Sequence, residues 1–144
     1  MKYGFPINFY SEGPVPCDRM EKKVIYSSGA PSSPLYSQGV KAGNFVYLSG
    51  FTGMNPVTKQ LAGESIEEQT RQAILNCESV LKSAGSSLVE VVQVIVLLTD
   101  PADFEGMNSE YAKFFHEAPP ARMVTKLGVS LPKVKVSIAM TAVA

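Results

Sequence analysis

Two rhythms of apolar and polar positions run along this chain. Between Ser65 and Gly85 the apolar residues Ile66, Ala73, Cys77, Val80, Leu81 and Ala84 recur at helical spacing. They predict one face of an amphipathic helix. Ser65 followed by Glu68 is a capping-box pattern, in which a hydroxyl and a carboxylate satisfy free backbone donors, and Gly85 is a good stop. A second helix is predicted from Asp100-Pro101, with Asp as cap and Pro in the first turn. Phe104, Met107, Tyr111, Phe114 and Phe115 form its buried face, and His116 lies in its last turn.

Elsewhere the rhythm has a period of two. Toward the end, Val134, Val136, Ile138 and Met140 face one way and Lys135, Ser137, Ala139 and Thr141 the other, so Lys135 to Ala144 reads as a strand. Val91 to Leu98 is almost wholly apolar and predicts a central strand covered on both faces. Lys22–Tyr26, Gln38–Lys41, Phe45–Gly50 and Arg122–Val129 complete the predicted strands, with Ala42-Gly43-Asn44 as a turn between the second and third. The order is strands, helix, strand, helix, strands. It predicts an α+β domain over residues 21–144, with two helices packed on one face of a mixed β-sheet. The other face is apolar enough that self-association is its natural cover. Residues 1–20, with Gly4, Pro6, Gly13, Pro14 and Pro16, read as an irregular N-terminal lead.

Composition narrows the function. Thirteen basic and thirteen acidic side chains cancel in a chain of 144 residues, which disfavours nucleic acid and anionic membranes as partners. No apolar run reaches the length of a membrane span. The N-terminus lacks an apolar signal core and a transit-peptide pattern, so the expected location is cytoplasmic. The two cysteines, Cys17 and Cys77, have no Cys or His neighbour at metal-ligand spacing, so no metal site is expected. Cys77 falls on the apolar helical face and reads as core. The single histidine, His116, reads as a helix-end or packing residue rather than a general base.

The residue with the most chemical content is Arg122, in Pro119-Pro120-Ala121-Arg122. The prolines end what precedes them, and the strand that follows opens with a guanidinium, a planar cation whose fork fits a carboxylate. Two readings stand: an ion pair with a neighbouring acid at a strand edge, or a pocket for a small anion.

The chain also resembles the reactive intermediate deaminase family (RidA, also called YjgF or L-PSP endoribonuclease). The resemblance rests on Leu35-Tyr36-Ser37-Gln38-Gly39-Val40, on Val46-Tyr47-Leu48-Ser49-Gly50, and on the segment from Asn76 to Asp100. Asp103-Phe104, Asn108-Ser109-Glu110-Tyr111, and Pro120-Ala121-Arg122 followed by Leu131-Pro132 complete it. It covers residues 22–144 in order. It implies a chorismate-mutase-like fold assembled as a homotrimer around a central β-barrel, with clefts between subunits. The implied activity is release of ammonia from enamines and imines such as 2-aminoacrylate, giving 2-oxo acids, without metal or organic cofactor. The implied partners are a small imino or keto acid and two further copies of the chain.

By the same resemblance, Arg122 clamps the substrate carboxylate, while Tyr36, Ser49 and Asn108 line the cleft. Backbone groups near Val124 help to orient water. Two positions depart from the family pattern. Ser137 stands where deaminating members carry an acid that holds the attacking water. Phe51 follows Ser49-Gly50 where Gln is common, and would make the pocket wall more apolar. The departures leave two readings open, a deaminase with weaker water activation and a carboxylate-binding or regulatory module. An endoribonuclease or translation inhibitor is a third, supported only weakly by this charge pattern.

Overall fold

The computed structural model describes residues 20–144. The N-terminal lead and Cys17 therefore lie outside the described residues, apart from Met20. Seven strands and two α-helices follow in the order β1 (Lys22–Ile25), β2 (Gly39–Ala42), β3 (Phe45–Leu48), β4 (Phe51–Thr52), α1 (Ile66–Ser83), β5 (Val91–Leu98), α2 (Phe104–Tyr111), β6 (Ala121–Lys126) and β7 (Val136–Val143). Single 3₁₀ turns at Leu88–Glu90 and Pro101–Asp103 precede β5 and α2. The strands form one mixed sheet in the order β1-β2-β3-β7-β5-β6, and short β4 also pairs with β7. Only β5 and β6 run parallel; all other pairs are antiparallel. None of the described helices is long and apolar enough to cross a membrane.

Helix α1 starts and stops where its sequence dictates. The Ser65 Oγ accepts from the Glu68 N–H and the Glu68 carboxylate accepts from the Ser65 N–H. Gly85 takes φ +78°, a conformation that costs other residues strain, and lets the chain leave the helix. Ala73, Ile74, Cys77, Val80 and Leu81 are all fully buried against Val46, Val94, Val96, Val136, Ile138 and Ala142 of the sheet. Burial of the branched side chains among these, roughly 1.5–3 kcal/mol each, is what holds the helix to the sheet.

Three expectations need correction. Strand β5 is covered on one face only. Val94, Val96 and Leu98 are buried beneath α1, but Ile95 and Leu97 are half-buried and Val92 is exposed. Val92 is the extra residue of a bulge between Val91 and Gln93, opposite Ala142 and Thr141. Helix α2 ends at Tyr111, not at His116, which lies exposed in the loop beyond. Phe104, expected in the core, is 39% exposed where the 3₁₀ turn passes into α2.

Amide side chains of α1 fasten the loops that frame the sheet. Gln69, fully buried, donates to the carbonyls of Gly63 and Lys133 at 3.0 Å each and accepts from the Lys135 N–H at 2.9 Å. Asn76, also fully buried, donates to the carbonyls of Thr52 and Met54 at 3.1 and 2.8 Å. The two residues fix the approaches to β7 and β4.

Candidate functional site

Arg122 enters the sheet where Pro119-Pro120 have ended the preceding segment, and pairs in parallel register with Val94. Its row partner faces the helix layer, so Arg122, Val124 and Lys126 point to that side at the sheet edge. There α2 meets the guanidinium with Asn108 and Tyr111, neighbours on one helical face by their spacing. Nη1 donates to Asn108 Oδ1 at 2.8 Å, and Cζ stands 4.7 Å from the centre of the Tyr111 ring. Arg122 forms no ion pair with any described carboxylate. The strand-edge ion pair is absent among the described residues, and the exposed cation keeps Nε and Nη2 free of hydrogen bonds there.

Behind this contact lies a buried carboxylate. Glu110, 2% exposed, accepts from Arg71 Nε of α1 at 2.7 Å and from Lys113 Nζ at 2.8 Å. Burial pushes its pKa upward, but the hydrogen bonds and charges of Arg71 and Lys113 outweigh that and hold it below the usual carboxylate value. Burial also raises the Tyr111 phenol above its ordinary value, with the Arg122 charge acting the other way. The Tyr111 hydroxyl is buried and has no hydrogen-bond partner among the described residues.

A second group gathers where β3, β4 and β7 meet. Ser49 Oγ donates to the Ser37 carbonyl at 2.7 Å, and the Ser49 N–H donates to the Gln38 carbonyl at 3.0 Å. The Ser49 proton is thus committed to the chain, and the hydroxyl is left as an acceptor. Gln38, 3% exposed, gathers the loop before it, donating to the carbonyls of Ser27, Ala30 and Pro31 at 2.9–3.0 Å. Tyr36 sits in this pinned segment with 51% of its surface exposed.

Ser137 lies opposite Thr52 in the β4–β7 pair and opposite Leu97 in the β5–β7 pair. It alternates with the fully buried Val136 and Ile138, so it faces away from the core. A Cβ at Gly50 would stand 2.9 Å from its Oγ, so Gly50 leaves this hydroxyl its space. Phe51 is a correction. It pairs with Ile138, shares its core-facing side, and is 3% exposed, so in the single chain it builds the hydrophobic core and not a pocket wall.

Arg122 and Ser137 therefore lie on opposite faces of the sheet, on strands separated by β5, with Arg122 level with Met140 and Ser137 level with Thr125. No hydrogen bond joins Arg122 and Asn108 to Ser49, Tyr36 or Ser137 within the chain. Val124 is on the Arg122 side. It lines a shallow depression of about 330 Å³ with Leu98, Pro101, Phe104, Thr125 and Lys126. Tyr111 is the residue of this site that sequence reasoning missed. Its apolar spacing marked it as core, and the only signal for a further role was its position one helical turn after Asn108.

A single mixed sheet backed by two helices, with an edge-strand arginine held by the crossover helix, defines the class of protein. The Endoribonuclease L-PSP family model matches residues 20–144, and the chain belongs to this family, the RidA/YjgF/L-PSP group. A RutC family protein of Pyrococcus horikoshii is 41% identical over 114 residues, covering 78% of this chain and 89% of the relative. The 2-iminobutanoate/2-iminopropanoate deaminase of Bos taurus is 36% identical over 113 residues, covering 78% and 82%. Among solved structures, Escherichia coli TdcF with bound serine superposes with a TM-score of 0.79 at 29% identity, covering 85% of this chain and 98% of TdcF.

Proposed function

We propose that the protein is a hydrolytic deaminase of reactive enamines and imines of the 2-aminoacrylate type, releasing 2-oxo acids and ammonia. The observation that carries this reading is the Arg122 guanidinium. It is exposed, paired with no described acid, and oriented by Asn108 and Tyr111 with donors to spare. Such a group suits a small carboxylate, which it can hold by two charge-assisted hydrogen bonds. The deaminase named in Bos taurus and the serine bound by TdcF, an amino acid carrying a carboxylate, support the same ligand class.

The chemistry asks little of the protein. The enamine tautomerises to an imine, water adds to the imine carbon, and the tetrahedral adduct expels ammonia to leave the keto acid. Holding the carboxylate on Arg122 with water beside the imine carbon makes the addition effectively unimolecular. Ser137 would hold that water with a neutral hydroxyl, which can orient it but is a poor base.

In our reading the working unit is a homotrimer around a central barrel, without metal or organic cofactor. Two features favour it. The candidate residues fall into two separate groups within one chain, so a complete cleft requires that a second copy bring them together. The sheet face away from the helices also exposes Phe45, Tyr47, Met123 and Val143, an apolar surface that copies of the chain would bury.

A coupled assay tests the activity. A pyridoxal-phosphate-dependent dehydratase generates 2-aminoacrylate, and keto-acid release is followed with and without this protein. Acceleration by the wild type but not by Arg122→Ala is the expected result. A wild type that accelerates nothing with several amino-acid precursors, yet binds 2-oxo acids by calorimetry, would favour the second reading, a carboxylate-binding module. The neutral Ser137 at the water position is the observation behind that alternative.

A further inference from the structure

We propose that α2 is the orienting frame of the carboxylate clamp, with Tyr111 as a positioning residue that acts through Arg122. The proposal rests on the carboxylate-binding reading of Arg122 and deepens it. An arginine side chain on an exposed strand edge has many rotamers, and ordering it costs free energy each time a ligand binds. Here two contacts restrict it before any ligand arrives. Asn108 Oδ1 takes one Nη1 proton, and the Tyr111 ring covers the guanidinium carbon at 4.7 Å. What remains for a carboxylate is the Nε and Nη2 side of the fork.

The ring can serve this purpose because it is itself fixed. Tyr111 is 7% exposed and packs on Phe115 at 4.7 Å between ring centres. The neighbouring Glu110 is tied to Arg71 of α1, so α2 cannot slide along the helix layer without breaking an ion pair whose carboxylate is buried. The contact depends on the ring and not on the phenol. The hydroxyl is buried without a partner among the described residues, and the Arg122 contact is made by the ring face, which a phenylalanine also supplies.

The test uses the full-length protein, with 2-oxobutanoate as calorimetric probe and the Arg122 Nε–H resonance as spectroscopic readout. In the wild type the resonance is expected to be resolved and shifted by the ring current, and Arg122→Ala is expected to abolish both signal and binding. Tyr111→Leu, checked for a native thermal transition, is expected to weaken binding about tenfold, within the range of a partly desolvated cation–π contact. It should also return the resonance to its random-coil position. Tyr111→Phe is the rescue: it keeps the ring and is expected to restore both readouts. If Tyr111→Leu retains affinity and resonance, or Tyr111→Phe loses them, the positioning role is overturned while the clamp stands. If Arg122→Ala binds 2-oxobutanoate as tightly as the wild type, the clamp itself falls and the positioning role with it.

Discussion

Replacing Gln69 by methionine tests how the last strand is held. The two side chains are of similar length and neither is branched, so the change removes polarity with little change of volume. Gln69 makes three hydrogen bonds, to the Gly63 and Lys133 carbonyls and from the Lys135 N–H. At about 1 kcal/mol net for each bond, their loss costs about 3 kcal/mol. The stranded peptide groups lie in partly exposed segments and can recruit water, which keeps the cost near this figure and below that of fully buried orphans. For a chain of this size about 2–4 °C of melting temperature accompanies each kcal/mol, so a fall of about 6–12 °C is expected. Thermal and urea denaturation should be compared at one fixed protein concentration, because association would make apparent stability concentration-dependent. A melting temperature within about 1 °C of wild type would refute the reasoning, since it would mean that water replaces these bonds at no cost.

Three further perturbations probe other parts of the structure. Glu110 is held below the ordinary carboxylate value in the folded chain, so its contribution is complete above the unfolded value and disappears as pH falls through the lowered folded value. The stability gap between wild type and Glu110→Gln, read from urea midpoints, should therefore hold steady from about pH 7 down to the unfolded carboxylate value and shrink below it; a gap independent of pH contradicts the assigned charge state. Gly53→Ala would place a Cβ 2.6 Å from the Gln69 Cα, and neither helix nor loop backbone can yield cheaply. A loss of about 2–3 kcal/mol is expected by chemical denaturation, and unchanged stability would mean that the loop moves freely. Ser137→Glu places a carboxylate beside Gly50 and, on the proposed reading, is expected to raise the rate on small imines by at least about tenfold in the coupled assay; an unchanged or lower rate would show that an acid is not what this site lacks.

The elements were legible in the sequence because each is a local pattern. The capping box at Ser65 and Glu68, the Gly85 stop, and the alternation through Val136, Ile138 and Met140 all appear in the structure. Strand order was not legible, since nothing local to β7 says that its neighbours are β3 and β5. The same limit applied to the site. Arg122 was marked by its chemistry, but its contact with Tyr111 bridges two elements, and a buried aromatic reads as core whichever side chain lies on its ring. Phe51 was misread for a related reason: the segment after Ser49-Gly50 runs in register with Ile138, and register with a distant strand decides which face a side chain takes. The short reach of α2 was hidden because Phe114 and Phe115 continue the apolar spacing through the turn that follows it.

The central place of β7 bears on how the chain is made. Every other strand precedes it in sequence, yet β7 is the seam between the β1-β2-β3 meander and the β5-β6 pair. When the polypeptide has been synthesised as far as Lys135, the strands of both halves exist but the neighbour they share does not. Until it arrives, the inner edges of β3 and β5 are unpaired and the apolar face of α1 has no finished sheet beneath it. Such edges are sites of mispairing between nascent chains. The interval before β7 emerges is therefore the vulnerable stage of biosynthesis, and synonymous codon changes that slow translation ahead of Val136 should lower soluble yield without altering the finished protein.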